Sequence, residues 1–298
     1  CRSMKQPLLS SHFQTRVPSA IRLAHIEFMK RTDPVTAVNT AIGNVSLPMH
    51  PAMVKRMFSL NSSDSPFHEG IVKYSPTVGF SEANQAVLYT IECSGFSKEL
   101  LYSQITEGGS HAMELAVLGI CGPPGSKTRP LLVFDPVYSN YSSMAERTGR
   151  TIVAAPRSLG EDGKFLLPKL EEIEKLIEQT NPAGMLVIPY DNPTGQFFSQ
   201  KTLNDLGRLC VKYNLWFLSD EAYRELFYFP GTTSSIWGVT EQEVPGILGR
   251  RISIESASKV WNACGLRIGA LVTDNGDFHR RSVAENTANL CANAIGQY

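Results

Sequence analysis

Six short apolar runs that do not alternate with polar residues constrain the fold more than any other feature of this chain. They are rich in Val, Ile and Leu and comprise Leu131–Phe134, Thr151–Ala154, Met185–Pro189, Leu215–Ser219, Ile252–Glu255 and Gly269–Thr273. Strands that are buried on both faces lack the polar alternation of half-exposed strands. Each run is therefore predicted to be a strand in a sheet that is covered on both sides.

Helical patterns lie between and before these runs. Pro168–Glu178 has its apolar residues on one face, Ser199–Tyr213 begins at a suitable N-cap, and Ser110–Ile120 follows a Gly-Gly pair. Pro18–Arg31 and Phe80–Cys93 are earlier candidates. Repeated strand and helix predict an α/β fold with a mostly parallel, doubly wound sheet flanked by helices. Ligands of such sheets bind at the carboxyl ends of the strands.

Composition excludes some classes of partner and site. The 28 basic and 28 acidic residues balance, which favours neither nucleic acid nor an anionic membrane, and no apolar run can span a bilayer. Six cysteines without a C-x-x-C pair predict reduced thiols and a cytoplasmic location. The run Gly122–Thr128 lacks the spacing of a nucleotide-binding P-loop, no G-x-G-x-x-G opens a helix, and no metal site is predicted.

Polar or aromatic groups follow the predicted strands at the edge where a ligand would bind. These loops contain Asp135–Tyr138, Tyr190–Gly195, Asp220–Arg224 and Ser256–Gly269, and Thr106–Ser110 precedes a helix. Lys259 lies among small residues in the fourth loop, an unusual setting for a surface charge. It suits an amine that reacts with an aldehyde.

Three of these runs, in their order along the chain, carry a family resemblance. Asn192–Gly195 (N-P-T-G), Asp220–Tyr223 (D-E-x-Y) and Ser256–Gly269 (S-x-S-K…R-x-G) together resemble the class I/II aminotransferases, pyridoxal-phosphate enzymes of fold type I. The resemblance covers essentially the whole chain and points to the aspartate-aminotransferase-like branch. It implies amino-group transfer between an L-amino acid and a 2-oxo acid, by a ping-pong mechanism through a Schiff base of Lys259 with pyridoxal 5'-phosphate.

The resemblance also implies roles around the cofactor ring. Lys259 would form the imine and later carry a proton between the substrate Cα and the cofactor. Asp220 would keep the pyridine nitrogen protonated. Asn192 and Tyr223 would hydrogen-bond the phenolic oxygen, and Tyr138 would stack on the ring face.

A second set of implied roles concerns the cofactor phosphate. Ser256 and Arg267 would bind it, the arginine as a bidentate clamp. Backbone N–H groups of Ser110 and His111 at a helix N-terminus would complete the site. His111 departs from the family pattern, and its imidazole would either touch the phosphate or point outward.

Two implied roles extend beyond the cofactor site of one chain. Tyr74 matches a tyrosine that reaches the phosphate of the neighbouring subunit, which implies a homodimer with shared active sites. The backbone of Gly43 would meet the substrate carboxylate, and Asn192 would also bind the substrate.

The resemblance implies a domain division as well. Residues 1–50 would be an N-terminal arm with part of a small domain, 51–285 the large cofactor-binding domain, and 286–298 the start of a helix toward a C-terminal small domain. The sequence does not begin with Met, and the family extends beyond residue 298. We therefore expect a fragment of a longer protein, with the arginine for the substrate α-carboxylate in the part that is absent.

Two alternative functions use the same residues. A β-lyase could share the scaffold, because the cofactor carries the chemistry and substrate contacts direct it. A non-catalytic, aminotransferase-like ligand-binding domain would need an attached DNA-binding segment, and the chain shows no basic cluster.

Overall fold

The structure is a computed structural model that describes residues 7–40, 43–228, 231 and 233–298. It divides into two compact units, Cys1–Asn44 and Val45–Tyr298. The first unit contains two helices, α1 (Ser11–Gln14) and α2 (Ala20–Met29). The side chains of Ser10 and Ser19 accept hydrogen bonds from the first turns of these helices.

The second unit contains the sheet and the remaining helices. Its strands are β1 (Tyr102–Glu107), β2 (Leu131–Asp135), β3 (Ile152–Pro156), β4 (Ser158–Leu159), β5 (Phe165–Leu166), β6 (Gly184–Val187), β7 (Trp216–Asp220), β8 (Arg251–Ser256) and β9 (Ile268–Thr273). Its helices are α3 (Pro51–Phe58), α4 (Ser81–Cys93), α5 (Gly108–Ile120), α6 (Asn140–Arg147), α7 (Leu170–Thr180), α8 (Gln200–Lys212), α9 (Gly276–Asn286) and α10 (Ala294–Gln297). Short 3-10 helices cover Ile236–Gly238, Cys264–Leu266 and Thr287–Asn289. No helix in the described ranges has both the length and the apolar character needed to cross a bilayer.

The mostly parallel, doubly wound α/β fold is confirmed. Within the described residues the main sheet has the strand order β1–β9–β8–β7–β6–β2–β3, while β4 and β5 form a separate hairpin. The pairs from β8 through β7, β6 and β2 to β3 are parallel. Only β9 runs against both of its neighbours, β1 and β8. All six predicted strands are present, with ends that differ by one or two residues.

Helices cover the sheet on both faces, as the non-alternating strands predict. Leu132 and Phe134 of β2 face one apolar cluster, which includes residues of α4, α7 and α8. Leu131 and Val133 face a second cluster, which includes residues of α5, α6 and α9. Successive residues of one strand are therefore buried in opposite directions.

Strand β1 lacks the apolar pattern and was not predicted. Its buried residues include Ser103, Gln104 and Thr106. Two of these polar side chains have partners nearby: Gln104 Oε1 accepts a hydrogen bond of 2.8 Å from Ser282, and Thr106 donates to the Gly108 carbonyl. The Ser103 hydroxyl has no hydrogen-bond partner among the described residues.

Residues 286–298 do not form one continuous helix. Helix α9 ends at Asn286, a 3-10 turn follows, and Leu290 has φ of 67°. Polar side chains near the helix end, such as Thr287 donating to the Ala284 carbonyl at 2.6 Å, compete with helix continuation. The compact units divide at Asn44, before the predicted boundary at residue 50, and Pro48 already accepts a hydrogen bond from Asn262. The assignment of large and small domains stays a prediction.

Candidate active site

The carboxyl ends of β2, β6, β7 and β8 meet at one edge of the sheet, which is the candidate cleft. These strands are parallel neighbours, so the loops that follow them leave the sheet at one edge. Asp220 is the last residue of β7, and the loops after β2, β6 and β8 carry Tyr138, Asn192 and Lys259. The sheet therefore brings together residues that are up to 121 positions apart, from 138 to 259.

Asp220 is the last residue of β7 and its carboxylate faces the cleft. Tyr141 donates a hydrogen bond of 2.5 Å to Oδ2, and the Ala222 backbone N–H donates one of 3.0 Å to Oδ1. Protein atoms crowd the carboxylate although the residue keeps some exposure, and this loss of water raises the pKa of Asp220 above its ordinary value. The hydrogen bonds from Tyr141 and Ala222 oppose that shift without cancelling it.

Tyr138 lies beside this carboxylate. Its ring packs edge-on against Tyr141, with centroids 5.4 Å apart, and Asn140 donates a hydrogen bond of 2.7 Å to its hydroxyl. Burial, and then the negative charge of Asp220, raise the pKa of the Tyr138 phenol, whereas Arg267 acts in the opposite direction. The tyrosine is therefore within electrostatic reach of both the acid and the arginine.

Asn192 and Tyr223 lie close together. The side chain of Asn192 lies near the phenol of Tyr223 and acts to lower the pKa of that phenol. Burial is the main reason that the pKa of Tyr223 is raised, and the negative charge of Asp220 adds to it. The structure thus places the two residues predicted to share one acceptor close to each other.

Arg267 lies over the start of α5. It has φ of 56°, in the left-handed region that non-glycine residues rarely adopt. Its Nη1 donates to the Cys264 carbonyl at 2.9 Å and reaches Ser258 Oγ at 3.5 Å. A Cβ added at Gly108, which has φ of 74°, would overlap the guanidinium. Glycine at this position therefore lets the arginine approach the helix N-terminus.

The first turn of α5 provides backbone donors at the same place. The residue at its N-cap, Glu107, makes no side-chain hydrogen bond to that turn, so the N–H groups that include those of Ser110 and His111 have no capping side chain. Ser256 is adjacent, because a Cβ built on Gly109 would lie 3.5 Å from Ser256 Cβ. Ser256, Arg267 and the helix N-terminus together form a site suited to an anion.

Lys259 lies in the bend between β8 and the 3-10 turn at Cys264–Leu266, and its side chain is partly buried. Its carbonyl accepts a hydrogen bond of 3.1 Å from the Asn262 N–H, which fixes the bend. Strand β8 is the parallel neighbour of β7, with Ile254 opposite Asp220. The lysine therefore follows the strand next to the one that carries the acid.

The imidazole of His111 faces neither the anion site nor open solvent. Its Nδ1 accepts a hydrogen bond of 3.2 Å from the Glu107 N–H, and Nε2 lies 3.3 Å from Asn289 Nδ2. Burial lowers the pKa of this histidine, which favours the neutral ring. The side chain therefore joins the start of α5 to the 3-10 turn after α9. The backbone N–H remains at the anion site.

Tyr74 and Gly43 are the remaining predicted site residues. Tyr74 is 78% exposed, next to the exposed Ile71 and Val72. Gly43 belongs to the N-terminal unit, and its role stays a prediction.

Comparison with known proteins identifies the family. Residues 55–295 match the family described as aminotransferase class I and II. The chain belongs to this family. The resemblance read from the three motifs is thereby confirmed.

Relatives among the aminotransferases share the sequence at low identity. The aspartate aminotransferase of Thermotoga maritima is 27% identical over 232 residues, which are 77% of this chain and 58% of that protein. The probable kynurenine–oxoglutarate transaminase BNA3 of Saccharomyces cerevisiae is 26% identical over 64% of this chain and 45% of its own length. The chain thus spans about half the length of these relatives.

Solved aminotransferase structures share the fold. A double mutant of Thermus thermophilus aspartate aminotransferase superposes with a TM-score of 0.79, at 20% identity, over 98% of this chain and 71% of that one. The N-succinyldiaminopimelate aminotransferase of Mycobacterium tuberculosis gives the same TM-score over 97% of this chain and 70% of its own. At this identity the likeness shows the fold alone.

Class I and II aminotransferases depend on pyridoxal 5'-phosphate, and the residues of the cleft fit that cofactor. Arg267 lies close to Gly108 at the N-terminus of α5, which provides an anion site for the cofactor phosphate. A crowded carboxylate at Asp220 is suited to a protonated ring nitrogen, and Tyr138 offers an aromatic face. Lys259 supplies an amine in the bend that follows β8, the strand next to β7.

Sequence reasoning missed two contributors to this aminotransferase cleft. Tyr141 hydrogen-bonds Asp220, and Asp191 forms a buried ion pair with Arg157. Tyr141 lies three residues after Tyr138 in α6, a spacing that could have indicated it. Arg157 follows a strand with no pattern around it, so nothing in the sequence distinguishes it from a surface charge.

Gly108→Ala is expected to weaken binding of pyridoxal phosphate by about 10- to 100-fold, because losing a charge-assisted hydrogen bond costs about 1.5–3 kcal/mol. The new methyl group would displace the Arg267 guanidinium. Fluorescence titration of the cofactor-free protein measures the effect. Gly163→Ala is the matched control, because Gly163 has φ of 78° but no atom within 4 Å of its Cβ position. Equal weakening in both variants would contradict the prediction.

Proposed function

We propose that the protein moves an amino group from an L-amino acid to a 2-oxo acid by a ping-pong route, with pyridoxal phosphate attached to Lys259. One observation carries the proposal: a crowded carboxylate, a pair of phenol and amide donors, and an arginine over a helix N-terminus lie at one edge of the sheet. The family membership supports the same reaction. The cofactor, when bound, supplies a ring that takes up the electron pair released at the substrate Cα.

Asp220 and its neighbours set the electronic state of the ring. The carboxylate of Asp220 holds a proton on the pyridine nitrogen, and Tyr141 fixes the orientation of that carboxylate. Asn192 and Tyr223 donate hydrogen bonds to the phenolic oxygen, a role supported by their closeness to each other. Tyr138 covers one ring face.

The anion site anchors the phosphate. Arg267 gives a charged donor, Ser256 a hydroxyl, and the N–H groups of Ser110 and His111 complete the contacts. Arg267, Ser256 and the helix N-terminus would hold the cofactor by its phosphate, so that its position would not depend on Lys259 alone. Lys259 then moves a proton to and from the substrate Cα through its Nζ atom.

The substrates are L-α-amino acids and 2-oxo acids as classes. The named relatives act on aspartate, kynurenine and N-succinyldiaminopimelate, which all carry an α-amino acid group. The backbone of Gly43 is proposed to contact the substrate carboxylate, and Asn192 to bind the substrate, on the basis of the sequence motifs.

The active form is proposed to be a cytoplasmic homodimer. Tyr74, with the exposed apolar residues Ile71 and Val72, gives each chain a surface that a second copy can cover, and the phenol of Tyr74 would reach the partner's phosphate. No disulfide joins the five cysteines that the structure describes, which suits a reducing compartment.

A visible absorption spectrum of the purified, cofactor-loaded protein tests the proposal. Addition of a suitable amino acid should change the band, and a 2-oxo acid should restore it, with one oxo acid formed per amino acid consumed. Release of ammonia and pyruvate instead would identify a β-lyase. A protein that binds the cofactor and amino acids without any product would be a ligand-binding domain.

A further inference from the structure

An ion pair between Arg157 and Asp191 is buried beneath the cleft. Arg157 Nη1 lies 2.8 Å from Asp191 Oδ2, and the two side chains are 1% and 3% exposed. Neither residue belongs to the roles assigned above. Burial of two charges is unfavourable unless their geometry and hydrogen bonds compensate, so the contacts of each partner indicate what the pair holds.

Arg157 holds the loop that leads to Tyr138. It follows β3, and its backbone N–H donates 2.8 Å to the Asp135 carbonyl at the end of β2. Its Nη2 donates to the carbonyl of Pro136, two residues before Tyr138. The guanidinium therefore fixes the backbone from which the tyrosine projects.

Asp191 holds the loop that carries Asn192. Its N–H donates 2.8 Å to the Gln196 carbonyl, and its own carbonyl accepts a hydrogen bond of 2.9 Å from Gly195. Its carboxylate accepts from the Thr194 hydroxyl as well as from Arg157. The backbone N–H, the backbone carbonyl and Oδ2 of Asp191 thus shape the turn around the next residue, Asn192.

We propose that Arg157 is a positioning residue that sets the spacing between the Tyr138 ring and the Asn192 amide. The proposal rests on the proposed function, in which these two groups contact the face and the phenolic oxygen of one cofactor ring. A planar guanidinium can donate to two acceptors from different nitrogens, whereas a lysine ammonium is a single point of attachment. One side chain therefore links the loops after β2 and β6.

Arg157→Lys tests this role through the pH dependence of the visible band. Displacing the Asn192 donor leaves more negative charge on the phenolic oxygen of the cofactor. The nitrogen that joins Lys259 to the cofactor should therefore keep its proton to higher pH. We expect the midpoint of the spectral titration to rise by roughly 0.5–1 pH unit. In an Asn192→Ala background the same replacement should move the midpoint by less than half as much, because the group being positioned is gone.

Arg251→Lys is the matched control. Arg251 forms a buried ion pair of 2.8 Å with Asp274, with side chains 8% and 2% exposed, at the opposite end of β8 from Lys259. It should lower the melting temperature without moving the spectral midpoint. If Arg157→Lys does not fold, Asp191→Asn is measured in the same way, since it keeps an acceptor oxygen and weakens the pairing.

Three results overturn the proposal. The first is a spectral midpoint that stays unchanged in both Arg157→Lys and Asp191→Asn. The second is a shift of the midpoint in Arg251→Lys as large as that in Arg157→Lys. The third is a shift from Arg157→Lys that keeps its full size in the Asn192→Ala background. A wild-type protein that shows no visible band overturns the proposed function and this inference together. A wild-type band with the expected shifts but no oxo-acid product overturns amino transfer alone.

Discussion

Lys259→Ala is expected to eliminate the visible band of the loaded protein and to reduce amino transfer by about 10²–10⁴-fold or more, the contribution of a positioned acid–base group. The lysine provides both the attachment point and the proton carrier, so one substitution removes two functions. It lies in a bend after β8, and its side chain is only partly buried, so the fold should survive. Single-turnover mixing with an amino acid, followed by assay of the oxo acid, measures the loss.

Lys201→Ala is the control for this prediction. Lys201 is on α8, its side chain is 84% exposed, and it pairs only with Asp205 nearby in the same helix. Its removal should leave spectrum and activity unchanged. Borohydride reduction and peptide mapping should place the cofactor mass on Lys259 in the wild type. A visible band that persists in Lys259→Ala would show that another amine holds the cofactor.

Asp220→Asn is expected to lower amino transfer by about 10²–10³-fold, the usual effect of removing one preorganised electrostatic contact. A neutral amide cannot hold the proton on the ring nitrogen. The shape of the side chain is retained, and Ala222 N–H still has an oxygen to which it can donate. Cofactor binding should weaken much less than activity, which a spectral titration beside a rate assay would show.

The same substitution should stabilise the cofactor-free protein at neutral pH. Burial raises the pKa of Asp220, so the folded state prefers the protonated acid. Such a group contributes stability below its unfolded pKa, about 3.9, and that stability is lost as pH rises through the folded value. The asparagine variant does not suffer this loss. Its melting temperature should therefore exceed that of the wild type by a margin that grows between acidic and neutral pH.

Asp162→Asn provides the comparison, because hydrogen bonds to Lys164 lower the pKa of the exposed Asp162 instead of raising it. This variant should show no gain in melting temperature at neutral pH. An Asp220→Asn variant that is less stable than the wild type at pH 7 would mean that the contact with Tyr141 outweighs the burial of the charge.

The sequence allowed the sheet to be predicted because its central strands are apolar on both faces. Helical patterns separate the runs at β2, β6 and β7 from one another, so each of these runs is predicted to be a strand and not a helix. Strand β1 could not be found this way, since Gln104 and Thr106 are buried through hydrogen bonds with distant or backbone partners. The reversed direction of β9 also depends on pairing across the chain, which a local pattern does not contain.

The site was predictable where a residue follows a strand in a recognisable motif. Asp220, Asn192 and Lys259 are examples. The side chain of His111 was not, because its hydrogen bonds depend on Asn289, 178 positions away. The Arg157–Asp191 pair was missed for the same reason: its partners come from three loops, and neither residue is unusual in its local sequence.

The pairing of β1 with β9 has a consequence for the protein during its synthesis. Strand β1 and the N-terminus of α5 are made early, but their neighbour β9 and the overlying Arg267 come much later in the chain. At about 5–20 residues per second, the interval is roughly 10–30 s. Throughout it the polar edge of β1 has no partner strand on that side, and a nascent chain cannot yet retain the cofactor by its phosphate. We therefore expect the protein to bind the cofactor only after the sheet is complete. We also expect chaperones that shield unpaired strand edges to act before residue 273 has emerged from the ribosome.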